Sequence, residues 1–150
     1  LPISISEAWN FFSSPANLAK ITPKEMAFTV TSPQTDEKMY PGMIITYKVS
    51  PVAGIQLNWM TEITQVADHK YFIDEQRFGP YKFWHHQHHF KQVPGGVEMT
   101  DILTYGLPLG IIGNIANSVF IARKLQQIFN FRKQKTIELF GDYTTATAGT

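Results

Sequence analysis

Two imidazoles two residues apart, His86 and His88, sit in the run Lys82-Phe83-Trp84-His85-His86-Gln87-His88-His89-Phe90. In a β-strand, side chains alternate between faces, so Trp84, His86, His88 and Phe90 share one side. An imidazole pair framed by large rings suits a mostly apolar pocket with a few polar points, the usual make-up of a small-molecule site. Asp74 and Asp101 lie in flanking segments of strand character. A carboxylate beside a histidine favours imidazolium, while burial opposes it. Such a pair can bind a ligand's oxygens or pass a proton. A metal site would use His86, His88 and a carboxylate, but the sequence supplies no third ligand at fixed spacing, and no metal is assigned. The competing reading is structural: buried polar side chains satisfy one another and hold strands in register.

Parity places these groups relative to each other. Val97, Met99, Leu103 and Tyr105 make the apolar face of their segment, so Asp101 is a carboxylate on an otherwise inward side. A two-residue turn at Gly95-Gly96 puts Phe90 opposite Asp101, His86 opposite Tyr105, and His88 diagonal to Asp101. A three-residue loop at 79–81 puts Asp74 opposite His86 and Gln76 opposite Trp84; a two-residue loop would reverse the faces. The first is preferred because it gives His86 a partner. The expected acid–imidazole pairs are Asp74 with His86 and Asp101 with His88. His85 and His89 fall on the opposite face, toward solvent.

The elements that must carry these residues follow from spacing. Ser4 and Glu7 have capping-box spacing, and Ile5, Ala8, Trp9 and Phe12 mark one helix face. Ser14-Pro15 opens a second short helix carrying Leu18 and Ile21. Strand patterns follow at 27–32, 43–49, 55–66, 71–78, 82–92 and 97–105, separated by turn residues, which predicts an antiparallel meander. From about Ile112 to Phe140 no proline occurs, and Ile115, Val119, Ala122, Leu125, Ile128 and Phe129 recur at helical spacing. Residues 142–150 form a small-residue tail expected to fray. The class is α+β, with one domain over 1–150 and no internal repeat.

Composition narrows the function. The chain has 13 basic and 12 acidic residues, which argues against electrostatic capture of nucleic acid. With 11 Phe, 6 Tyr and 3 Trp it suits a large apolar interior or pocket. Absence of cysteine excludes disulfides, thiolate metal sites and Cys nucleophiles. No signal-peptide pattern and no membrane span of roughly 18 apolar residues is found, so a soluble, cytoplasmic domain without stable membrane insertion is expected. The glycines at 106, 110 and 113 surround Pro108 and fit a strand-to-helix turn, not a phosphate cradle. Arg123, Lys124, Arg132, Lys133 and Lys135 read as a solvated basic helix face, with membrane docking the weaker alternative.

The order of elements, together with Phe72-x-Asp74-x-Gln76-x-x-Gly79-Pro80-Tyr81-x-x-Trp84-x-His86-x-His88-x-Phe90, resembles the START-like, or Bet v 1-like, superfamily. Thr100-Asp101, Tyr105-Gly106-Leu107-Pro108-Leu109-Gly110 and Ile128-Phe129-x-Phe131-Arg132 extend the likeness, which covers about residues 3–140. Its bacterial polyketide cyclase-like and coenzyme Q-binding-like members are the nearest in character. Such members usually begin with a strand before the first helix, and residues 1–4 leave almost no room for one. The resemblance implies a helix-grip fold, a curved antiparallel sheet wrapped around a long C-terminal helix, with a cavity for a lipid, polyketide, quinone or similar molecule. It does not imply one activity. The expected lining is Trp59, Phe72, Gln76, Trp84, His86, His88, Phe90, Tyr105, Ile115 and Val119, with no cofactor and room for a homodimer. The rival is a cyclase, dehydratase or hydrolase using His86 or His88 with Asp74 or Asp101. A third reading is a lipid-transfer or interaction module working through the basic helix.

Overall fold

Ser4 starts the first helix, α1 (Ile5–Phe12), by a reciprocal cap: its hydroxyl accepts from the Glu7 amide at 3.2 Å, and the Glu7 carboxylate accepts from the Ser4 amide at 3.0 Å. The helix buries Ala8, Trp9 and Phe12, the stripe expected from their spacing. The second short helix, Pro15–Ile21, is 3₁₀ rather than α, and an unanticipated 3₁₀ turn follows at Lys24–Met26. That turn ends with Ala27 in the left-handed region, so the first strand shrinks from the expected 27–32 to Thr29–Val30. The computed structural model describes residues 1–33, 38–50, 55–108 and 115–144, with side chains of the last helix described from 119 onward.

Six strands form one antiparallel sheet in sequence order: β1 (Thr29–Val30), β2 (Ile44–Val49), β3 (Leu57–Ala67), β4 (Tyr71–Phe78), β5 (Phe83–Val93) and β6 (Gly96–Gly106). Register shifts between Met60 and Thr61 and between Ile63 and Gln65 interrupt the β3–β4 ladder. Such irregularities bend and twist strands, and here they help the sheet curve. One face buries Ile45, Trp59, Ile63, Phe72, Phe90 and Val97, and α1 packs across it with Trp9 edge-on to Phe72 and Phe90. The closing helix, α2 (Ile115–Phe140), brings Phe140 against Phe11 and Phe12 at 5.0 and 6.4 Å between ring centres.

Two expectations need correction here. The β5–β6 turn is not Gly95-Gly96: Val93 pairs with Gly96, so Pro94-Gly95 turns the chain, with Gly95 at φ +75° as a type II turn requires. Gly96 belongs to β6, where a Cβ would collide with the Leu1 carbonyl oxygen. The register therefore moves by two residues from that expected: Asp101 faces His88 rather than Phe90, and His86 faces Leu103 rather than Tyr105. The buried stripe of α2 also differs. It contains Leu125 and Thr136, with Phe129, Arg132 and Phe140 partly covered, whereas Val119 is 44% exposed. Leu109, Gly110, Gly113, the start of the helix at Ile112, the Ile115 side chain and the tail from 145 lie outside what is described.

Candidate functional site

Three neighbouring strands bring the expected acid–imidazole residues together. Asp74 on β4 pairs with His86 on β5, and His88 on β5 pairs with Asp101 on β6. Because side chains alternate, all four project from the same face. The histidines are buried, with only 4% and 5% of their surface exposed. Their rings lie 3.8 Å apart, with Phe72 stacked on His88 at 4.2 Å and Phe129 of α2 edge-on to His86 at 5.5 Å.

Each carboxylate meets both histidines. Asp74 Oδ2 hydrogen-bonds with His88 Nε2 at 2.8 Å and lies 3.4 Å from His86 Nδ1. Asp101 Oδ1 lies 2.8 Å from His88 Nδ1 and 3.2 Å from His86 Nε2. Neither of these last two nitrogens aligns an N–H with Asp101, so the three atoms are close but lack directed hydrogen bonds among the described residues. The two expected pairs are thus a closed ring of four groups.

The ring sets the protonation of its members. Burial and then the charge of His88 push His86 down to about 4, against the opposing pull of Asp101 and Asp74. Burial also disfavours charge on His88, but Asp101 and Asp74 outweigh it and raise this imidazole above its ordinary value. For Asp74 and Asp101, burial works upward; the contacts with the imidazoles and the charge of Arg132 prevail and hold both carboxyls low. The site therefore favours charge on both carboxyls and pushes the two imidazoles apart, His88 toward the charged form and His86 toward the neutral one.

Two hollows meet at this cluster. The smaller, about 100 Å³, is lined by Phe72, Asp74, Trp84, His86 and His88 together with Tyr47, Thr61 and Arg132. It has room for about three waters. The larger, about 770 Å³, is a cleft between β6 and α2. Phe12, Val97, Met99, Phe129 and Ile137 give it apolar walls, and Asp101, Asn130 and Arg132 are among its polar points. Arg132 lines both hollows.

Several expected lining residues do other work. Trp59 donates its indole N–H to Thr61 at 3.1 Å, and Gln76 bridges the Tyr81 backbone, accepting at 3.2 Å and donating at 2.6 Å. Phe90 packs in the core against Trp9, Phe12 and Phe72, and Tyr105 meets Tyr81 edge-on. None of these four, nor exposed Val119, lines either hollow.

Arg132, expected on a solvated helix face, is instead partly buried. Its guanidinium carbon sits 5.6 Å from the Phe129 ring centre, and its Nε is buried with no hydrogen-bond partner among the described residues. The other basic residues Arg123, Lys124 and Lys133 are exposed, as expected. The signal that could have found Arg132 is its spacing: it stands seven residues from Leu125 and four from Thr136, on the buried stripe.

No family model matches the chain, and no curated protein sequence is a significant match. Among solved structures, TTHA0849 from Thermus thermophilus is similar with a TM-score of 0.61 at 12% identity, over 93% of this chain and 94% of that one. CV1439 from Chromobacterium violaceum gives 0.59 at 12% identity, over 85% and 88%. Protein Ms6760 from Mycobacterium smegmatis gives 0.56 at 21% identity, over 98% and 87%. The likeness is one of fold. An antiparallel curved sheet with one long C-terminal helix is the helix-grip arrangement, and at these identities nothing about ligand or reaction travels with it. Among the described residues, no helix is long and apolar enough to cross a membrane.

Proposed function

We propose that this chain is a START-like, Bet v 1-like domain that binds a hydrophobic small molecule in the cleft between β6 and α2. The observation that carries the reading is the cleft itself: about 770 Å³, with an apolar stretch formed by Phe12, Val97, Met99, Phe129 and Ile137 beside a polar one that includes Asp101, Asn130, Arg132 and Lys133. That size falls in the usual range for small-molecule sites, and its lining is more polar than theirs usually is, which suits a ligand with both an apolar body and a polar end. The hollow around the histidines is too small for a lipid, polyketide or quinone, so the ligand body belongs beside Met99, Phe129 and Ile137. Its polar end would meet Asp101 and Arg132, where the cleft reaches the buried cluster.

This arrangement favours binding over acid–base catalysis by the histidines. All four imidazole nitrogens lie within 3.4 Å of a carboxylate oxygen, and neither ring lines the larger cleft. A proton shuttle would need a ring nitrogen facing the substrate.

Native mass spectrometry of the purified chain, with displacement of an environment-sensitive fluorescent probe by fatty acids and quinones, tests the reading. A co-purified apolar molecule or saturable probe binding is expected, both lost in Met99→Arg and kept in Phe83→Ala, which alters an exposed ring on the sheet. Probe binding equal in both variants and the parent, with no retained mass, would overturn it.

A further inference from the structure

The buried ring of four groups touches the cleft only through Asp101, and its other three members have a second property. We propose that Asp74, His86 and His88 form a site for one divalent transition-metal ion of the Zn²⁺ class, with Asp101 orienting both imidazoles from behind.

Geometry supplies the donors. One donor atom from each of the three residues lies within 4.8 Å of the others. Asp74 Oδ2 is 3.4 Å from His86 Nδ1 and 2.8 Å from His88 Nε2. With metal–ligand bonds near 2.0–2.1 Å, those separations correspond to angles of about 110° and about 85° at a shared ion. The two imidazole nitrogens, within 4.8 Å of one another, must stand no more than about 4.2 Å apart to share an ion. The third ligand absent from the local sequence spacing comes across the β4–β5 pair, where register sets Asp74 against His86.

The surroundings fit the same assignment. Histidines that bind metals usually donate their far ring N–H to a carboxylate, which fixes tautomer and orientation. Here the far nitrogens, His86 Nε2 and His88 Nδ1, face the one oxygen Asp101 Oδ1 at 3.2 and 2.8 Å. Among the described residues, these three buried atoms are without a directed hydrogen bond. A small rotation of each ring toward an ion at Asp74 would let its N–H find Asp101. Asp74 and Asp101 set two carboxyl groups against the imidazoles, and an ion here would displace the proton that His88 Nε2 shares with Asp74. Two imidazoles with one carboxylate select a borderline ion such as Zn²⁺, Co²⁺ or Fe²⁺ over Mg²⁺ or Ca²⁺, which take oxygen ligands. The adjoining hollow of about 100 Å³ leaves room for a water or a ligand oxygen at the open position.

Titration of the full chain, stripped by chelator, with Co²⁺ as a coloured probe and Zn²⁺ as competitor tests this. One equivalent is expected to bind saturably with a visible d–d spectrum, and Zn²⁺ should abolish it. Asp101→Asn keeps every ligand and should weaken affinity about 10- to 100-fold. His86→Ala and Asp74→Asn should abolish the spectrum. Should those variants not fold, the parent chain decides the matter by NMR: bound Co²⁺ is expected to broaden signals of Phe72 and Trp84. No saturable binding, an unchanged spectrum in folded His86→Ala, or broadening confined to the surface pair Asp68 and His69 would overturn the assignment; that pair has its own contact at 3.0 Å.

Discussion

Four ionisable side chains taken out of water are costly unless each faces an opposite charge. The effective penalty is several kcal/mol per ion, and removing one partner of a buried pair leaves the other uncompensated. Asp74 contacts both imidazoles, so Asp74→Ala is expected to destabilise the fold by about 3–5 kcal/mol in urea unfolding. A loss under about 1 kcal/mol would mean that the cluster is hydrated in solution. Arg132 gives a second prediction, for binding rather than stability. Arg132→Met keeps an unbranched stem over Phe129 and removes the charge from the cleft. Affinity for a carboxylate-bearing probe should fall by ~10-fold or more, the worth of one hydrogen bond to a charged group, while a neutral isostere is unaffected. Equal losses for both probes would assign Arg132 to packing alone.

At the scale of elements, turns decide which residues meet. The β5–β6 turn works because proline precedes a glycine at positive φ, and that choice aligns His88 with Asp101. The β4–β5 connection is held differently: the Gln76 amide spans the Tyr81 backbone N–H and carbonyl. Tyr81 is packed there against Trp84 and Trp59, and burial, followed by the nearby Tyr105, pushes its phenol up to about 12. The folded value is raised above the unfolded value of about 10. Its contribution to stability is therefore complete below pH 10 and lost as the pH rises through about 12. Stability should fall across that window, and Tyr81→Phe should flatten the slope. The check is urea unfolding at a series of alkaline pH values, and identical slopes in the two proteins would show that this phenol is solvated.

For the whole molecule, the N-terminal helix and the end of α2 close one side of the sheet's inner face. Trp9 is 1% exposed and touches Phe72 and Phe90 from β4 and β5. Trp9→Ala is expected to cost about 3–5 kcal/mol and to lower the thermal midpoint in one cooperative transition. A two-step melt would mean that α1 docks as a separate unit. The large cleft lies where α2 stands away from β6, so the fold's interior is divided between a filled core under α1 and a hollow under α2.

Local chemistry alone determined a good deal. The Ser4–Glu7 cap, the period-two runs and the long proline-free segment specify α1, the meander and α2, because capping and alternation act between near neighbours. Parity put Trp84, His86, His88 and Phe90 on one buried face and set Asp74 opposite His86. Tertiary structure decided the rest. A turn shifted by one residue moves cross-strand partners by two without changing faces, so sequence pattern is blind to whether Asp101 meets His88 or Phe90. Arg132 looks solvated in composition and becomes half-buried only when α2 lies across the sheet. The position of the cleft depends on how far a helix stands from a strand some thirty residues earlier, and no local pattern encodes that distance.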